Sequence, residues 1–176
     1  MLSLMTVESP PPVDPCAGTP AIGTVCTGGA IYAGTFDPLD GGGVKKYMTT
    51  PADAGLKIWG PSGTTGANST TDGVANTINL EARGSAYVAG YYCGTLTANG
   101  YSDWFLPAQD ELNLFYISKV LIGGFDISGT YPTSYYLISN ETIEGPDYAW
   151  AKAFNNGSLG VSGNATAMGI RCARRY

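Results

Sequence analysis

Residues that could carry out acid–base or nucleophilic chemistry are few in this chain. None of the 176 residues is histidine, so the commonest general base and the commonest zinc ligand are absent. Ser-His-Asp and Cys-His catalysis are thereby excluded, whereas Ser-Lys and carboxylate chemistry are not. Asp110 and Glu111 look like paired carboxylates, but neighbouring residues of a helix point in different directions. We therefore expect them to serve a helix N-terminus, in a protein that is not an enzyme.

A second set of polar and aromatic side chains lies between residues 122 and 167, where we expect loops and short strands. Aromatic rings among amides and carboxylates suit sugars, because a sugar ring stacks on the aromatic face while its hydroxyls take hydrogen bonds. The same mixture suits a protein epitope, and an ordinary tyrosine-rich β-surface would look similar. The predicted ligand-binding residues are Tyr131, Tyr135, Tyr136, Asn140, Glu144, Asp147, Asn155, Asn156 and Asn164.

The composition is acidic, poor in charge and rich in turn residues. A formal charge of −5 and a pI near 4.5 argue against a nucleic-acid partner, which would require a basic surface. With 25 Gly, 11 Pro and 12 Tyr, the chain is predicted to be loop-rich and to favour strands. No apolar run approaches the ~20 residues of a membrane-spanning helix. Residues 1–8 lack the basic and apolar regions of a standard signal peptide, and release within a phage particle is a route that needs none.

The best-defined element begins within residues 100–112, which read GYSDWFLPAQDEL. Pro107 suits the first helical position, because its missing N–H would have no partner there. The acidic residues that follow lie in the first turn, where the helix dipole favours carboxylates. We predict a helix over about 107–121, ended by Gly123. Its apolar face comprises Leu112, Phe115 and Tyr116, with Ile117 and Val120 beside it.

This stretch and three later ones, in the same order, resemble the C-terminal domain family of the Legionella collagen-like adhesin. The family's typical pattern is G-Y-[ST]-D-W-x-L-P-[ST]-x-x-E-L, then Tyr-Tyr-Trp-Ser-Ser, Ala-Trp-x-x-x-Phe-x-x-Gly and Val-Arg-Cys-Val-Arg. The later counterparts here are residues 135–139 (YYLIS), 149–157 (AWAKAFNNG) and 170–175 (IRCARR). The resemblance covers roughly residues 16–176 with gaps. It departs at Leu137, where the family usually has Trp, and the acidic charge does not fit the polyanion binding of basic members.

Periodicity predicts one further helix and a set of short strands. Small residues at spacings of three and four predict a helix over residues 77–96, with Ala82, Ala86, Ala89 and Cys93 on one narrow face. Residues 60–73 are predicted to form a polar loop with little to pack. Strands are predicted at 30–34, 46–50, 56–59, 133–139, 148–154 and 168–173, with the first two paired and a hairpin turn at 155–157. The predicted core residues are Trp104, Leu106, Leu112, Phe115 and Trp150, with Met168, Ile170 and Cys172 pointing inward from the last strand.

Four cysteines permit three pairings. Their arrangement favours Cys16–Cys26, which would close a short N-terminal hairpin, and Cys93–Cys172, which would tie the small-residue helix to the last strand. On the loop-entropy model these bridges would stabilise the fold by about 2.8 and 4.5 kcal/mol, before native-state strain is subtracted. The alternative is four reduced thiols, with Cys93 and Cys172 buried as small apolar side chains.

The cysteine pattern, two helices and a long loop region also resemble the C-type lectin fold, which phage receptor-binding proteins use. The resemblance implies an α+β domain with two helices, a curled antiparallel sheet and long loops; an unrelated α+β domain with the same element order is the alternative. Glu144-Gly145-Pro146-Asp147 resembles the calcium loop of sugar-binding C-type lectins, but its spacing differs. Oxygen ligands there could hold calcium, although the prediction names no cofactor and no metal-ligating residue.

These observations predict a C-type-lectin-like domain over residues 16–176, preceded by a proline-rich arm over residues 1–15 that attaches it to its assembly. We expect a non-catalytic recognition module at the surface of a phage virion, of the fibre-tip or receptor-binding type. The 131–164 loops would contact a host glycan or protein, with neither nucleic acid nor membrane insertion involved. The alternatives are a structural decoration protein of a virion and a bacterial surface adhesin. A homotrimer is one assembly that such a protein could form.

Overall fold

The computed structural model describes residues 13–142 and 144–176, and the chain there forms a mixed α+β fold with four helices and two sheets. Residues 1–12 of the predicted arm lie outside the described residues. No helix in the described part is long and apolar enough to cross a membrane. The helices are α1 (Gly73–Ala82), α2 (Val88–Gly94), α3 (Gln109–Ile117) and α4 (Lys119–Ile122). The strands are β1 (Ile31–Phe36), β2 (Lys45–Thr49), β3 (Leu56–Lys57), β4 (Tyr135–Glu141), β5 (Tyr148–Ala153), β6 (Leu159–Gly163), β7 (Met168–Gly169) and β8 (Ala173–Arg175).

The strands form a three-stranded sheet of order β1-β2-β8 and a five-stranded sheet of order β3-β7-β4-β5-β6. The predicted pairing of the first two strands is confirmed, and Ile31 lies opposite Thr49. All pairs are antiparallel except β4 and β7, which meet in parallel at Tyr136 and Gly169. The predicted single last strand is wrong, because β7 and β8 belong to different sheets. Between them, the carbonyls of Ile170 and Cys172 accept the N–H groups of Ala54 and Thr50.

Each predicted helix is divided in two. The chain breaks between α1 and α2 at Gly84, whose φ of +90° is left-handed and disfavours other residues. As a result Ala89 and Cys93 are buried, whereas Ala82 and Ala86 are exposed and do not share their face. Gly90 allows the two helices to approach closely, since a Cβ there would lie 2.6 Å from the Leu80 side chain.

The helix predicted at 107–121 is divided at Ser118 into α3 and α4. Pro107 precedes the helix rather than occupying its first turn, which begins at Gln109. Ile117 and Val120, predicted beside the apolar face, are exposed. The remaining predicted face lies against the fold, with Leu112 and Phe115 fully buried and Tyr116 half-buried.

The core consists of two apolar clusters, one on each side of β4. The predicted core residues Trp104, Leu106, Leu112 and Phe115 are buried, as are Met168, Ile170 and Cys172. Trp150 is only half-buried, and the reason is the orientation of β5. Its alanines at 149, 151 and 153 are buried, whereas Trp150 lies on the opposite face of the strand, where it packs against the cluster that contains Phe154 without being fully covered.

Both expected disulfides are present, joining Cys16 to Cys26 and Cys93 to Cys172 with Cα–Cα distances of 5.2 and 5.5 Å. The short bridge closes the N-terminal loop before β1. The long bridge joins α2 to the segment between β7 and β8. It therefore connects α2 to residues 170–172, where the chain crosses from the five-stranded sheet to the three-stranded sheet.

Glu111 joins four elements through one buried carboxylate. Its Oε2 accepts the N–H groups of Gly73 and Ala108, each at 2.9 Å, at the starts of α1 and α3. Its Oε1 accepts the Tyr47 hydroxyl at 2.8 Å and lies 3.5 Å from Arg175 Nη1. Burial raises the pKa of Glu111 to about 7, against the opposing influence of these donors. The expected capping role is therefore real, but it is performed inside the fold.

Arg171 likewise joins distant parts of the chain through one buried side chain. Its buried guanidinium donates to the carbonyls of Thr50, Gly123 and Gly124 and to Asp53, at 2.7 to 2.9 Å. It also lies over the Phe125 ring, 4.2 Å from the centroid. We call the assembly around Glu111 and Arg171 the frame, meaning α1, α3, β2 and residues 168–175.

Candidate functional site

The structure separates the nine predicted ligand-binding residues into exposed and buried groups. Tyr131, Glu144, Asp147, Asn155 and Asn156 are exposed, and Tyr135 is half-buried. Tyr131 and Tyr135 form an edge-to-face pair with ring centroids 5.3 Å apart, and the Tyr131 hydroxyl lies 3.0 Å from Ser162 Oγ. Asn155 and Asn156 lie in the turn between β5 and β6, as predicted for a hairpin.

The other three predicted residues are buried and have structural roles instead. The Tyr136 hydroxyl donates to Asp53 at 2.5 Å and accepts the Asp126 N–H at 2.7 Å. Asn140 Oδ1 accepts the N–H of Gln109 at 3.1 Å, which caps the start of α3. Asn164 holds two loops together, as described below. A ligand arriving from solvent cannot reach these three side chains, so they support the surface from beneath.

A cavity of about 200 Å³ lies beside Tyr148, between two loops. One is loop 59–67, which connects β3 to α1; the other is loop 141–148, which connects β4 to β5 and is described except at residue 143. The lining residues combine aromatic, hydroxyl and carboxylate side chains with glycines: Trp59, Gly63, Thr64, Glu141, Thr142, Gly145, Pro146 and Tyr148.

Hydrogen bonds between the two loops fix the shape of the cavity. Gly63 N–H donates to the Pro146 carbonyl at 3.2 Å, and Thr65 N–H donates to Glu141 Oε1. In return, Glu141 N–H donates to the Ala67 carbonyl at 2.6 Å. Two of these bonds join backbone groups only, whereas the third uses the carboxylate of Glu141, so this lining side chain also holds the wall of the cavity.

Asn164 ties both loops to the turn after β6. Its Nδ2 donates to the carbonyls of Pro146 at 2.8 Å and Pro61 at 3.3 Å. Its own carbonyl accepts the Trp59 N–H at 3.0 Å, and its N–H donates to Asp147 O at 2.8 Å. Asn164 Oδ1 is buried and has no hydrogen-bond partner among the described residues. A single side chain therefore positions both walls.

Trp59 was missed as a site residue by the sequence prediction. It is buried beneath the cavity, donates from Nε1 to the Ile138 carbonyl at 2.9 Å and packs edge-to-face on Tyr87. Residues 60–73 were predicted to form a polar loop with little to pack, yet Thr65 and Ala67 within it are buried. A tryptophan directly before Gly60-Pro61 was the available signal, because a large aromatic next to a turn must find a surface to cover.

The polar groups of the cavity restrict what it can bind. The only charged side chain among the described lining residues is the carboxylate of Glu141, so an anionic group such as a phosphate would be repelled. Tyr148 offers an aromatic face, and Thr64 and Thr142 offer hydroxyls. A neutral polyol ring matches these groups. The volume is below the roughly 300 Å³ at which drug-sized pockets begin, which limits the cavity to about one ring.

Carboxylates near the cavity do not form a metal centre within the described residues, where no three Asp, Glu or Cys side chains converge. Asp110 and Glu111, the adjacent carboxylates of α3, also separate as expected. Glu111 is buried in the frame, whereas Asp110 is half-buried near Lys152. Neither lines the cavity.

A second, shallower groove of about 300 Å³ lies between α1, α2 and residues 102–105. Glu81, Asp103 and Arg175 are its charged residues, and none of the nine predicted ligand-binding residues lines it. Arg175 is committed to Asp40, Asp72 and Glu111. We therefore take the cavity beside Tyr148 as the candidate site. No model of a known protein family matches this chain, and no curated protein matches it either.

Proposed function

We propose that residues 16–176 form a non-catalytic recognition module with C-type-lectin-like organisation, displayed on a phage virion. The long Cys93–Cys172 bridge and the short N-terminal Cys16–Cys26 bridge support this proposal, because that fold also joins a helix to its C-terminal strand region by a long bridge; here the bridge runs from α2 to the segment just before β8. The ordered motifs of the adhesin C-terminal family support it from the sequence.

The observation that carries the proposal is the cavity between loops 59–67 and 141–148. Loops that are held by a stable frame are the usual place for binding residues. Here the two loops form a concave site with an aromatic ring, hydroxyls and one carboxylate. We therefore favour a neutral sugar unit of a host surface glycan as the ligand, with Glu144 and Asp147 on the rim of the site. A host protein remains the alternative partner.

A glycan array with the full chain, followed by saturation-transfer NMR with the free monosaccharides of any binding glycan, tests this function. We expect Tyr148→Ala and Glu141→Gln to weaken binding at least tenfold, which is about 1.4 kcal/mol. Tyr91→Ala is the matched control, because Tyr91 is an exposed tyrosine on α2 that does not line the cavity. Binding that survives both cavity substitutions, or an array without any binding glycan, would refute a glycan site here.

A structural decoration protein is the second candidate, and an exposed apolar patch favours it. Ile117, Val120 and Leu121 are 68%, 79% and 66% exposed at the end of α3 and in α4. Exposed apolar patches often mark contacts with other subunits. Sedimentation of the native source on a density gradient, with this chain followed by mass spectrometry, tests the virion assignment for both candidates. Travel with a large particle at fixed stoichiometry supports it, whereas a free or cell-envelope protein would favour an adhesin.

Deletion of residues 1–15 then distinguishes the two candidates. A receptor-binding module should keep its ligand affinity without the arm. A decoration protein should lose its place on the particle.

A further inference from the structure

Strand β6 forms an open edge of the five-stranded sheet. Among the residues that the structure describes, it pairs only with β5, from Tyr148 opposite Gly163 to Lys152 opposite Leu159, without a register shift. On either side of β6, the Ser158 carbonyl accepts the Ala153 N–H of β5, and the Asn164 N–H donates to the carbonyl of Asp147, the residue before β5. Because residues of an antiparallel strand alternate between bonding inward and outward, Leu159, Val161 and Gly163 turn their N–H and C=O groups away from β5. The Gly163 carbonyl indeed accepts a bond from Thr166 instead.

The other sheet edges in the described residues carry features that prevent pairing, and β6 does not. β3 has only two residues and includes Lys57. β1 has a register shift between Tyr32 and Gly34. β8 bears two arginines and contacts Phe105 through Ala173. Charges, bulges and short length are the usual protection of edge strands against each other.

The sequence around β6 contains no charge at all. Residues 153–170 include no Asp, Glu, Lys or Arg, although 13% of the chain is charged. Leu159 and Val161 are 42% and 41% exposed, and Trp150 lies opposite Val161 on the same face. The edge therefore joins outward backbone groups to an apolar surface, which is the combination that favours strand addition.

We propose that two copies of this chain pair through β6, antiparallel and about a two-fold axis at Val161. In this register the two Val161 residues exchange N–H···O bonds, and Leu159 of each copy pairs with Gly163 of the other. A second copy is the favoured occupant because the strand is complementary to itself under this symmetry and no like charges meet. The five-stranded sheets of the two copies would then form one continuous sheet.

Pairing through β6 would make the protein bivalent, which is a consequence beyond the proposed function. Tyr148 lies opposite Gly163, at one end of β6. The two-fold axis would thus place the two cavities at opposite ends of the shared edge. Two sites on one particle raise avidity without any new contact to the ligand. Since a pair of five-residue strands falls short of the roughly 1,200 Å² of a stable interface, we expect a dimer that dissociates on dilution.

Sedimentation velocity of the full chain over a concentration series tests the dimer. We expect a monomer–dimer equilibrium that Val161→Lys weakens at least tenfold, because two ammonium groups would then face each other across the axis. Ile78→Lys is the control, since Ile78 is an exposed apolar residue on α1. Thermal unfolding of each variant confirms that it is folded. A wild-type monomer at all concentrations, a trimer, or a dimer that survives Val161→Lys would each overturn the proposal.

Disulfide trapping tests the register independently. Facing residues of a hydrogen-bonded antiparallel pair lie about 5.5 Å apart at Cα, within the range of roughly 4.4–6.8 Å that a disulfide requires. Val161→Cys should therefore form a covalent dimer under mild oxidation. Leu159→Cys should not, because the two 159 positions would lie about 13 Å apart along the strands. Equal trapping at both positions would contradict the proposed register.

Discussion

The frame and the cavity contain buried polar groups of two different kinds. In the frame, Arg171 and Glu111 are ionisable, and each is bound by several partners from distant parts of the chain. Around the cavity, a neutral amide, Asn164, holds backbone carbonyls, and its Oδ1 has no partner among the described residues. The difference indicates that each charged centre of the frame is held by several partners, whereas the two walls of the cavity are held to the turn after β6 by the amide of one residue.

The motifs that resemble the adhesin C-terminal family lie outside the cavity, in the frame and in the segments beside it. Trp104, Leu106, Glu111, Arg171 and Cys172 all belong to the matching motifs, and all are buried. None of them lines the cavity. The motifs therefore describe how the scaffold is held together. The ligand must be inferred from the loops that the motifs leave out.

Removal of the long disulfide should have the largest effect on the frame. Replacing Cys93 and Cys172 together by Ser should lower the free energy of unfolding by about 4.5 kcal/mol, and replacing Cys16 and Cys26 by about 2.8 kcal/mol, because the loops differ in length. Urea denaturation of both double variants measures the difference. Equal losses would show that the long bridge gives the frame no special stability.

Removal of the Arg171 guanidinium should destabilise the frame nearly as much. Arg171→Met leaves Asp53 and three carbonyls without their buried donor, and breaking a buried ion pair from one side costs about 3 to 5 kcal/mol. Arg174→Met is the matched control. Its guanidinium bonds the exposed Asp103 at 2.6 Å, so its loss should cost about 1 kcal/mol or less. Similar losses of stability in the two variants would mean that the buried pair of Arg171 and Asp53 contributes no more to the frame than an exposed ion pair does.

Glu111 should give the frame a pH dependence. Its folded pKa of about 7 lies above the ordinary value of 4.5, so the folded state binds the proton more tightly than the unfolded chain. Its contribution to stability is complete below pH 4.5 and is lost as the pH rises through 7. The expected loss between pH 4.5 and 8 is about 3 kcal/mol.

Comparison with Glu111→Gln isolates this contribution, because glutamine keeps the shape and cannot ionise. We expect the stability difference between wild type and variant to change across pH 4.5–8, as measured by denaturation at each pH. Parallel pH profiles would mean that Glu111 is ionised throughout and that its donors outweigh burial.

The difference between local signals and distant contacts explains how much of the fold and of the cavity the sequence could predict. Local signals were sufficient for the β1–β2 pair, the start of α3 near Pro107 and the turn at 155–157. They failed where a distant contact decides the outcome. The break after β7 depends on residues 50–54, which lie more than a hundred positions away, and the burial of Tyr136 depends on Asp53. The cavity was missed because Trp59 and Tyr148 come from segments that only the fold brings together.

Among these variants, Asn164→Ala should have the smallest effect on the free energy of unfolding and the most localised effect on the loops of the cavity. Asn164→Ala removes the bonds to Pro61 and Pro146, but it also removes the unpartnered Oδ1, so the net loss of stability should stay near about 1 kcal/mol. Asn76→Ala is the matched control in the frame. That buried amide bonds Ser69 and Ser139 with both of its polar atoms, and its loss should cost about 2 kcal/mol.

At the cavity the order of the two asparagine variants should be reversed, with Asn164→Ala having the larger effect on local opening and on binding. Without Asn164, amide hydrogen exchange should accelerate in loop 59–67, where Gly63 N–H depends on the position of Pro146, and sugar binding should weaken. Without Asn76, exchange at these amides should stay close to that of the wild type. If Asn164→Ala instead unfolds the protein more readily than Asn76→Ala, the cavity walls belong to the frame. The side chains of the cavity could then not vary independently of the fold, and the proposed division between frame and cavity would fail.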